Sequence, residues 1–292
     1  MAIIETKDLT RDFDNLRAVD KINLQVKEKS IFGFLGLNGA GKTTTLKMLT
    51  TLLSPTSGSA MVGGYDISNP LEIRELIGVV EERNTIPKPT WNPTEYLDFF
   101  GRLHGMPQQE RIKKANILLK DISLEKFKGT PIGTFSSGMK KKVEICRALL
   151  HDPEILFLDE PTKELDIPSK REIWNLLKRL NKTIFICSHD ILEIGTLCEE
   201  ICVICKGRIT FSGNINELRK SDSFRAKIKH DPNLLDLLAG LNLKTEVENG
   251  YIYCTIPKEA RPNFLKKIAN YEMEEFVPLL SLEGSLSNML RG

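Results

Sequence analysis

The chain has 292 residues, of which 41% are hydrophobic and 27% are charged. This length predicts about two domains with buried cores, and the composition excludes a small disulfide scaffold and a largely disordered protein. The 41 Lys and Arg residues against 39 Asp and Glu give a net charge of +2, so no nucleic-acid partner is expected.

The N-terminus and the apolar runs bear on where the protein resides. Residues 1–8 lack the basic start and apolar core of a secretion signal. The apolar stretch at residues 184–204 is interrupted by charged residues such as Asp190 and Glu193, so no segment is expected to span a bilayer. These patterns predict a cytoplasmic protein whose contact with a membrane is peripheral.

Buried strands alternate with helical segments along the chain. Residues 30–35, 154–158 and 183–187 are short apolar runs that predict parallel strands. A helical pattern follows Pro168, which suits the first turn of a helix. This alternation predicts an α/β fold. Residues 84–140 instead show helical spacing after a helix start at Asn92, which predicts a helical insertion.

The pattern changes again after Gly213. Two helix-like segments, near Leu234 and Phe264, surround a strand-like segment at residues 250–256. We therefore divide the chain into a main domain of residues 1–219 and a small α/β accessory domain of residues 220–292.

The spacing of Cys198, Cys202 and Cys205 is compatible with three corners of an iron–sulfur cluster. The surrounding sequence, however, predicts two strands joined by a turn at Lys206 and Gly207. Alternation along a strand puts Cys202 and Cys205 on opposite faces, which favours small core residues over cluster ligands.

A phosphate-binding loop is predicted at residues 36–43, which read Gly-Leu-Asn-Gly-Ala-Gly-Lys-Thr between an apolar strand and a helical run. The glycines allow backbone N–H groups to point inwards at an anion. Lys42 is expected to reach the β- and γ-phosphates, and Thr43 to ligate Mg²⁺. The predicted binding residues of this P-loop are Gly36, Asn38, Gly39, Ala40, Gly41, Lys42, Thr43 and Thr44.

Polar side chains follow two of the predicted strands at the edge where α/β sheets bind ligands. Asp159 and Glu160 end one strand, and His189 ends another. Asp159 is predicted to coordinate Mg²⁺, and Glu160 to orient or deprotonate an attacking water. His189 is suited to donating a hydrogen bond to the γ-phosphate. Glu160, His189 and Lys42 are therefore the predicted catalytic residues.

Residues 135–140, Phe-Ser-Ser-Gly-Met-Lys, resemble the signature motif of ATP-binding-cassette (ABC) ATPases, commonly Leu-Ser-Gly-Gly-Gln. The order of P-loop, signature, Asp-Glu strand and His strand matches that family over residues 2–215. The resemblance implies a P-loop NTPase fold of the ABC type with an antiparallel β subdomain. It also implies a homodimer, or a heterodimer with a similar subunit, in which Ser136, Ser137 and Gly138 of one subunit meet the γ-phosphate held by the other.

The resemblance also assigns an adenine-stacking role to Phe13, for which a core position is the alternative. The family's metal-binding lid Gln falls on Glu81 or Glu82: ungapped alignment favours Glu82, and a subgroup pattern favours Glu81. An acidic lid and a C-terminal extension are similar to the subgroup that powers drug and antibiotic exporters. This implies an ATPase at the cytoplasmic face of the cell membrane that drives a separate integral membrane subunit.

Three departures from the family pattern stand out. Ser137 replaces a glycine at a close approach to phosphate, and the lid acid adds negative charge there. Lys163 and Glu164 replace small residues at the dimer seam. These departures keep a low-turnover nucleotide-binding regulator open as an alternative. A soluble ATP-gated module acting on a protein or ribosomal partner is a second alternative, disfavoured because the chain has neither a second cassette nor a long coiled-coil insertion.

Overall fold

The computed structural model describes residues 2–82, 86–216, 223–241, 243–257, 260–268, 271 and 273–279. The chain divides into two compact units, Met1–Gly213 and Asn214–Gly292. Residues 219 and 220, between which the sequence places the domain boundary, lie outside the described residues, as does residue 84, the predicted start of the helical insertion.

An antiparallel sheet forms one layer of the first unit. It contains the strands β1 (Ala2–Phe13), β2 (Leu16–Ile22), β3 (Gln25–Lys27), β5 (Ser57–Val62) and β6 (Tyr65–Asp66). The strand order is β2-β1-β5-β6, and β3 also pairs with β1. This sheet confirms the predicted antiparallel β subdomain.

A second, largely parallel sheet carries the edge at which ligands are expected. Its order is β11-β10-β4-β9-β8-β7. Every residue of β8 and β9 is buried, because helices cover both faces of such a sheet. The three predicted apolar strands are therefore confirmed as β4, β8 and β9. The strand bounds are β4 Ile31–Leu35, β7 Ile77–Val80, β8 Ile155–Asp159, β9 Thr183–Ser188, β10 Glu200–Cys205 and β11 Arg208–Asn214.

Seven α-helices are described in the first unit, and two of them begin at the start signals read from the sequence, Asn92 and Pro168. Asn92 forms a capping box in which its Oδ1 accepts from the N–H of Glu95 and its own N–H donates to the Glu95 carboxylate. Asp166 caps the helix that has Pro168 in its first turn. The helices are α1 (Lys42–Leu49), α2 (Pro70–Leu76), α3 (Pro93–Leu103), α4 (Gln108–Asp121), α5 (Ser137–Leu149), α6 (Ile167–Arg179) and α7 (Ile191–Leu197).

The second unit has the chain order β-α-β-β-α-β of a ferredoxin-like motif. Its antiparallel sheet has the order β13-β14-β12-β15. The two helix-like segments and the strand-like segment predicted here are confirmed. The elements are β12 (Ser223–Lys229), α8 (Pro232–Ala239), β13 (Lys244–Glu248), β14 (Tyr251–Pro257), α9 (Arg261–Lys267) and β15 (Met273–Leu279).

The cysteines are core residues, and all six are buried. Cys202 and Cys205 lie on β10, three positions apart, and therefore point to opposite faces of the sheet. Within the described ranges, no cluster of His, Cys, Asp and Glu has the arrangement of a metal site. No helix in those ranges is both long and apolar enough to cross a membrane.

Candidate nucleotide-binding site

A cavity of about 590 Å³ lies where the P-loop joins β4 to α1. Gly41 has φ 109° there, and a Cβ at this position would lie 2.5 Å from the carbonyl oxygen of Ala18. Only glycine fits both the backbone conformation and this close approach. The cavity is lined by Phe13, Leu16, Arg17, Ala18, Asn38, Gly39, Gly41, Lys42, Thr43, Thr44, Glu82, Glu160, Lys163, Lys206 and Gly207.

Lys42 is folded back across the P-loop. Its Nζ donates to the carbonyl oxygens of Gly36 at 2.8 Å and Leu37 at 3.2 Å. The same Nζ lies 3.3 Å from Oε1 of Glu160. The ammonium group is thus held between the loop and the acidic end of β8. Of the other predicted loop residues, Gly36 and Ala40 lie outside the cavity lining.

Thr43 and Asp159 form the oxygen-rich corner of the site. The hydroxyl of Thr43 donates to Oδ2 of Asp159 at 2.8 Å. The other oxygen of Asp159, Oδ1, is buried without a hydrogen-bond partner in the described part of the chain. Burial raises the pKa of Asp159, and the charges of Glu160 and Glu82 contribute to the rise. A hydroxyl and an unsatisfied carboxylate oxygen are the hard donors that Mg²⁺ prefers, so these residues fit that ion.

Glu160 is held from two sides. Its Oε2 lies 2.8 Å from Nδ1 of His189, while Lys42 faces the other oxygen. The Glu160 N–H donates to the carbonyl oxygen of Cys187, which ties the ends of β8 and β9 together. Glu160 also has φ 48°, a left-handed conformation that is rare for residues other than glycine. The carboxylate and the imidazole, which the sequence placed in separate roles, are therefore in contact.

Phe13 lines the cavity with 39% of its surface exposed, which excludes the alternative that it is a core residue. The guanidinium carbon of Arg11 lies 4.5 Å from the ring centroid. A ring that lines a nucleotide cavity and is held by a cation–π contact is suited to stacking on a base.

The two candidate lid residues have different surroundings. Glu82 lines the cavity and forms an ion pair with Lys163, whereas Glu81 is not among the lining residues. The backbone carbonyls of both accept hydrogen bonds from Nζ of Lys141, a buried lysine of α5, at 3.0 Å and 3.3 Å. Of the two candidates, Glu82 is therefore the one whose side chain lies at the cavity.

The signature residues are not brought to this cavity. Ser136 caps α5, accepting a hydrogen bond from the N–H of Met139, and both Ser136 and Ser137 are exposed. Gly138 is buried, and a Cβ there would lie 2.9 Å from Oγ of Ser169. None of these three residues lines the cavity that holds the P-loop of the same chain.

Two features of the site were missed from sequence. Lys163, assigned to a dimer seam, has its side chain at the cavity. Glu193 on α7 is a fully buried carboxylate that accepts from Oγ1 of Thr162, Oγ of Ser188 and Nε1 of Trp174. Thr162 lies two residues after Glu160 and Ser188 directly precedes His189, so Glu193 joins the two segments that carry these predicted catalytic residues. The signal available in the sequence was a single acidic residue, Glu193, within the apolar helix α7.

Together, the P-loop, the acidic end of β8 and a signature segment whose Ser136 and Ser137 are exposed at the start of α5 are the features of an ATP-binding cassette. The family model described as ABC transporter matches residues 19–163. The ABC transporter ATP-binding protein NatA of Bacillus subtilis is 36% identical over 228 residues, covering 75% of this chain and 93% of NatA. The bacitracin transport ATP-binding protein BcrA of Bacillus licheniformis is 39% identical over 225 residues, covering 75% and 72%.

Solved structures agree with these relatives. The structure of cbiO1 from Clostridium perfringens, part of an ABC transporter complex, has a TM-score of 0.69 and 30% identity, covering 74% of this chain and 90% of that one. A dimeric cassette in a post-hydrolysis state with ADP and Pi has a TM-score of 0.65 and 27% identity, covering 73% and 98%. The chain belongs to the ABC transporter family, in which it is an ATP-binding subunit and an ATPase.

Proposed function

We propose that this ATPase closes as a dimer around ATP and Mg²⁺ and drives export through a separate integral membrane subunit. A relative named for export supports the direction: the Nod factor export ATP-binding protein I of Ralstonia nicotianae is 33% identical over 260 residues, covering 86% of this chain and 81% of that protein. Such a chain would lie at the cytoplasmic face of the cell membrane, where its membrane partner and the ATP supply meet.

The separation of the signature from the cavity carries the dimer proposal. Ser136 caps a helix of 13 residues whose first N–H groups suit an anion, yet neither Ser136 nor its neighbours line the cavity of their own chain. A second copy, or a similar subunit, would supply this helix terminus to the γ-phosphate. The exposure of Ser136 and Ser137 leaves them accessible to such a partner.

The residues of the cavity have complementary tasks in this proposal. Thr43 and Asp159 would hold Mg²⁺, with Glu82 as a further candidate ligand, and the bound ion would neutralise phosphate charge. Lys42 binds the β- and γ-phosphates. Glu160 orients the attacking water and accepts its proton. His189, which contacts Glu160 at 2.8 Å, is the proposed hydrogen-bond donor to the γ-phosphate.

The first test replaces the proposed base. We expect Glu160→Gln to keep ATP binding and to hydrolyse ATP at least about tenfold more slowly, because an amide cannot accept the proton. With hydrolysis slowed, the ATP-bound dimer should accumulate and be visible by light scattering after gel filtration. Glu172→Gln, at an exposed ion pair with Lys142 outside the cavity, is the matched control. Normal turnover in Glu160→Gln would refute the assignment, and a monomer at saturating ATP would refute the dimer.

The second test concerns the membrane partner. The tagged chain is purified from detergent-solubilised membranes of its source cell, and the co-purifying proteins are quantified. A multi-span membrane protein in stoichiometric amount is expected. Recovery of soluble partners alone, with the chain absent from the membrane fraction, would support the ATP-gated module acting on a protein or ribosome instead.

A further inference from the structure

An arginine lies behind the aromatic ring that lines one wall of the nucleotide cavity. Arg11 and Phe13 are two positions apart at the end of β1, and the guanidinium carbon of Arg11 lies over the ring, 4.5 Å from its centroid. Phe13 lines the cavity, whereas Arg11 is not among the lining residues. The guanidinium covers one face of the ring, so a base that stacks on Phe13 must use the opposite face.

The guanidinium of Arg11 is held by few groups apart from this ring. Its Nη1 donates to the carbonyl oxygen of Ser54 at 2.9 Å. Its Nε is buried and makes no hydrogen bond within the part of the chain that the structure describes. The contact with Phe13 and the bond to Ser54 are therefore the interactions that fix where the cation lies.

The bond to Ser54 connects Arg11 to the helix that begins at the P-loop. Helix α1 starts at Lys42, and Ser54 lies in the segment that follows this helix. The same segment makes a second contact with the end of β1, since the N–H of Asp12 donates to Oγ1 of Thr56 at 3.0 Å. One end of α1 thus carries the phosphate-binding residues, and the chain beyond its other end holds the strand that carries the ring.

We infer that Arg11 is a positioning residue for the base of ATP. It supports one face of Phe13 and, through Ser54, sets the position of the ring relative to the helix that begins with Lys42. The base and the triphosphate of one nucleotide must reach the ring and the P-loop together, so the separation of these two sites decides whether both contacts form. The inference rests on the proposed function of the cavity as the ATP site, with Phe13 as the stacking residue.

A double-mutant cycle on the full chain tests this inference. Calorimetric titration with EDTA present, to prevent turnover, gives the dissociation constants of ATP and of inorganic tripolyphosphate, which has the phosphates but no base. We expect Arg11→Ala to weaken ATP binding about three- to tenfold, because the stacking ring loses its support. Tripolyphosphate binding should change by less than about twofold. In the Phe13→Ala background, Arg11→Ala should weaken ATP binding by less than about twofold, since the ring through which Arg11 acts is gone.

Two further variants separate positioning of the ring from general effects on this part of the fold. Arg74 on α2 donates to Oγ1 and to the carbonyl oxygen of Thr51, in the same segment after α1, at 3.0 Å and 3.1 Å. Arg74 is not among the residues that line the cavity, so Arg74→Ala should leave the affinity for both ligands unchanged. Arg11→Lys keeps a cation for the ring and should retain more ATP affinity than Arg11→Ala.

The outcomes distinguish the inference from the proposed function. Unchanged ATP affinity in Arg11→Ala, an equal loss for ATP and tripolyphosphate, or an equal loss with and without Phe13 would overturn the inference alone. A loss in Arg74→Ala as large as that in Arg11→Ala would overturn it as well. If the unaltered chain binds no ATP, the proposed function and the inference both fail.

Discussion

Glu193 offers a sharp test of how the catalytic segments are held. Its carboxylate is 1% exposed and accepts hydrogen bonds from Oγ of Ser188 at 2.6 Å, Oγ1 of Thr162 at 2.7 Å and Nε1 of Trp174 at 3.2 Å. Truncation in Glu193→Ala leaves these buried donors without their acceptor. At about 1–2 kcal/mol for each, the free energy of unfolding should fall by about 3–6 kcal/mol.

Thermal unfolding measures this loss. For a unit of this size, about 3 kcal/mol corresponds to a fall in Tm of at least about 6 °C. The transition of the first unit is identified by its rise with added ATP, since a ligand stabilises the fold that binds it. Glu193→Gln keeps the shape and one acceptor oxygen, so it should cost only about 1 kcal/mol.

Replacing Glu193 should also slow catalysis without weakening substrate binding. Thr162 and Ser188 flank Glu160 and His189 in sequence, so loosening them misplaces the base and its partner. We expect kcat to fall in Glu193→Gln while KM for ATP changes little. Glu199→Gln, at an exposed position beyond α7, is the control. A Glu193→Ala protein that unfolds at the wild-type temperature would refute the reasoning.

Three further predictions concern other parts of the first unit. Burial lowers the pKa of His151 from 6.5 to about 4. The stability that is present above pH 6.5 is therefore lost as the pH falls towards 4. The drop in Tm between pH 7.5 and pH 5 should consequently be smaller in His151→Gln than in the unaltered chain. In Gly78→Ala the new Cβ would lie 2.2 Å from the carbonyl oxygen of Ala148. The free energy of unfolding, measured with urea, should therefore fall by about 1–3 kcal/mol. Gly129→Ala is the control, because the space around Gly129 is open. Phe13→Ala should weaken ATP binding about tenfold and leave pyrophosphate binding unchanged, because only the base stacks; equal losses for both ligands would contradict the stacking role.

The elements that carry the predicted site residues could be read from the sequence because their signals are local. The P-loop is a short run in which Gly41 and Lys42 have fixed roles, and the apolar strand ending at Asp159 delivers its carboxylate to a known edge of the sheet. The same locality explains the success at Asn92, whose capping box involves residues three apart. Each of these features is decided by a few neighbouring residues and the geometry of one element.

The contacts missed from sequence join residues that are distant along the chain. Lys163 and Glu82 are 81 positions apart, and Lys141 reaches the lid loop from 60 positions away. The charge of Lys163 by itself is compatible with a subunit interface and with the wall of a cavity, so the sequence did not distinguish the two positions. The role of Glu193 was missed for a different reason. Its charge was interpreted as an interruption of an apolar run. Its three hydrogen-bond donors lie on separate segments that come together only in the folded chain.

The burial of the cysteines makes the thiols reporters of local opening. Cys254 lies in the second unit, and Cys146, Cys187, Cys198, Cys202 and Cys205 lie in the first. A buried thiol reacts with an alkylating reagent only when the surrounding structure opens, so its labelling rate measures the free energy of that opening. Mass spectrometry of peptides from a single labelling series would then read the stability of each unit separately, without any substitution in the chain. ATP should slow labelling at Cys187, whose Sγ contacts the carbonyl oxygen of Lys42. The labelling rate of Cys254 in the second unit should stay unchanged and serve as the internal reference.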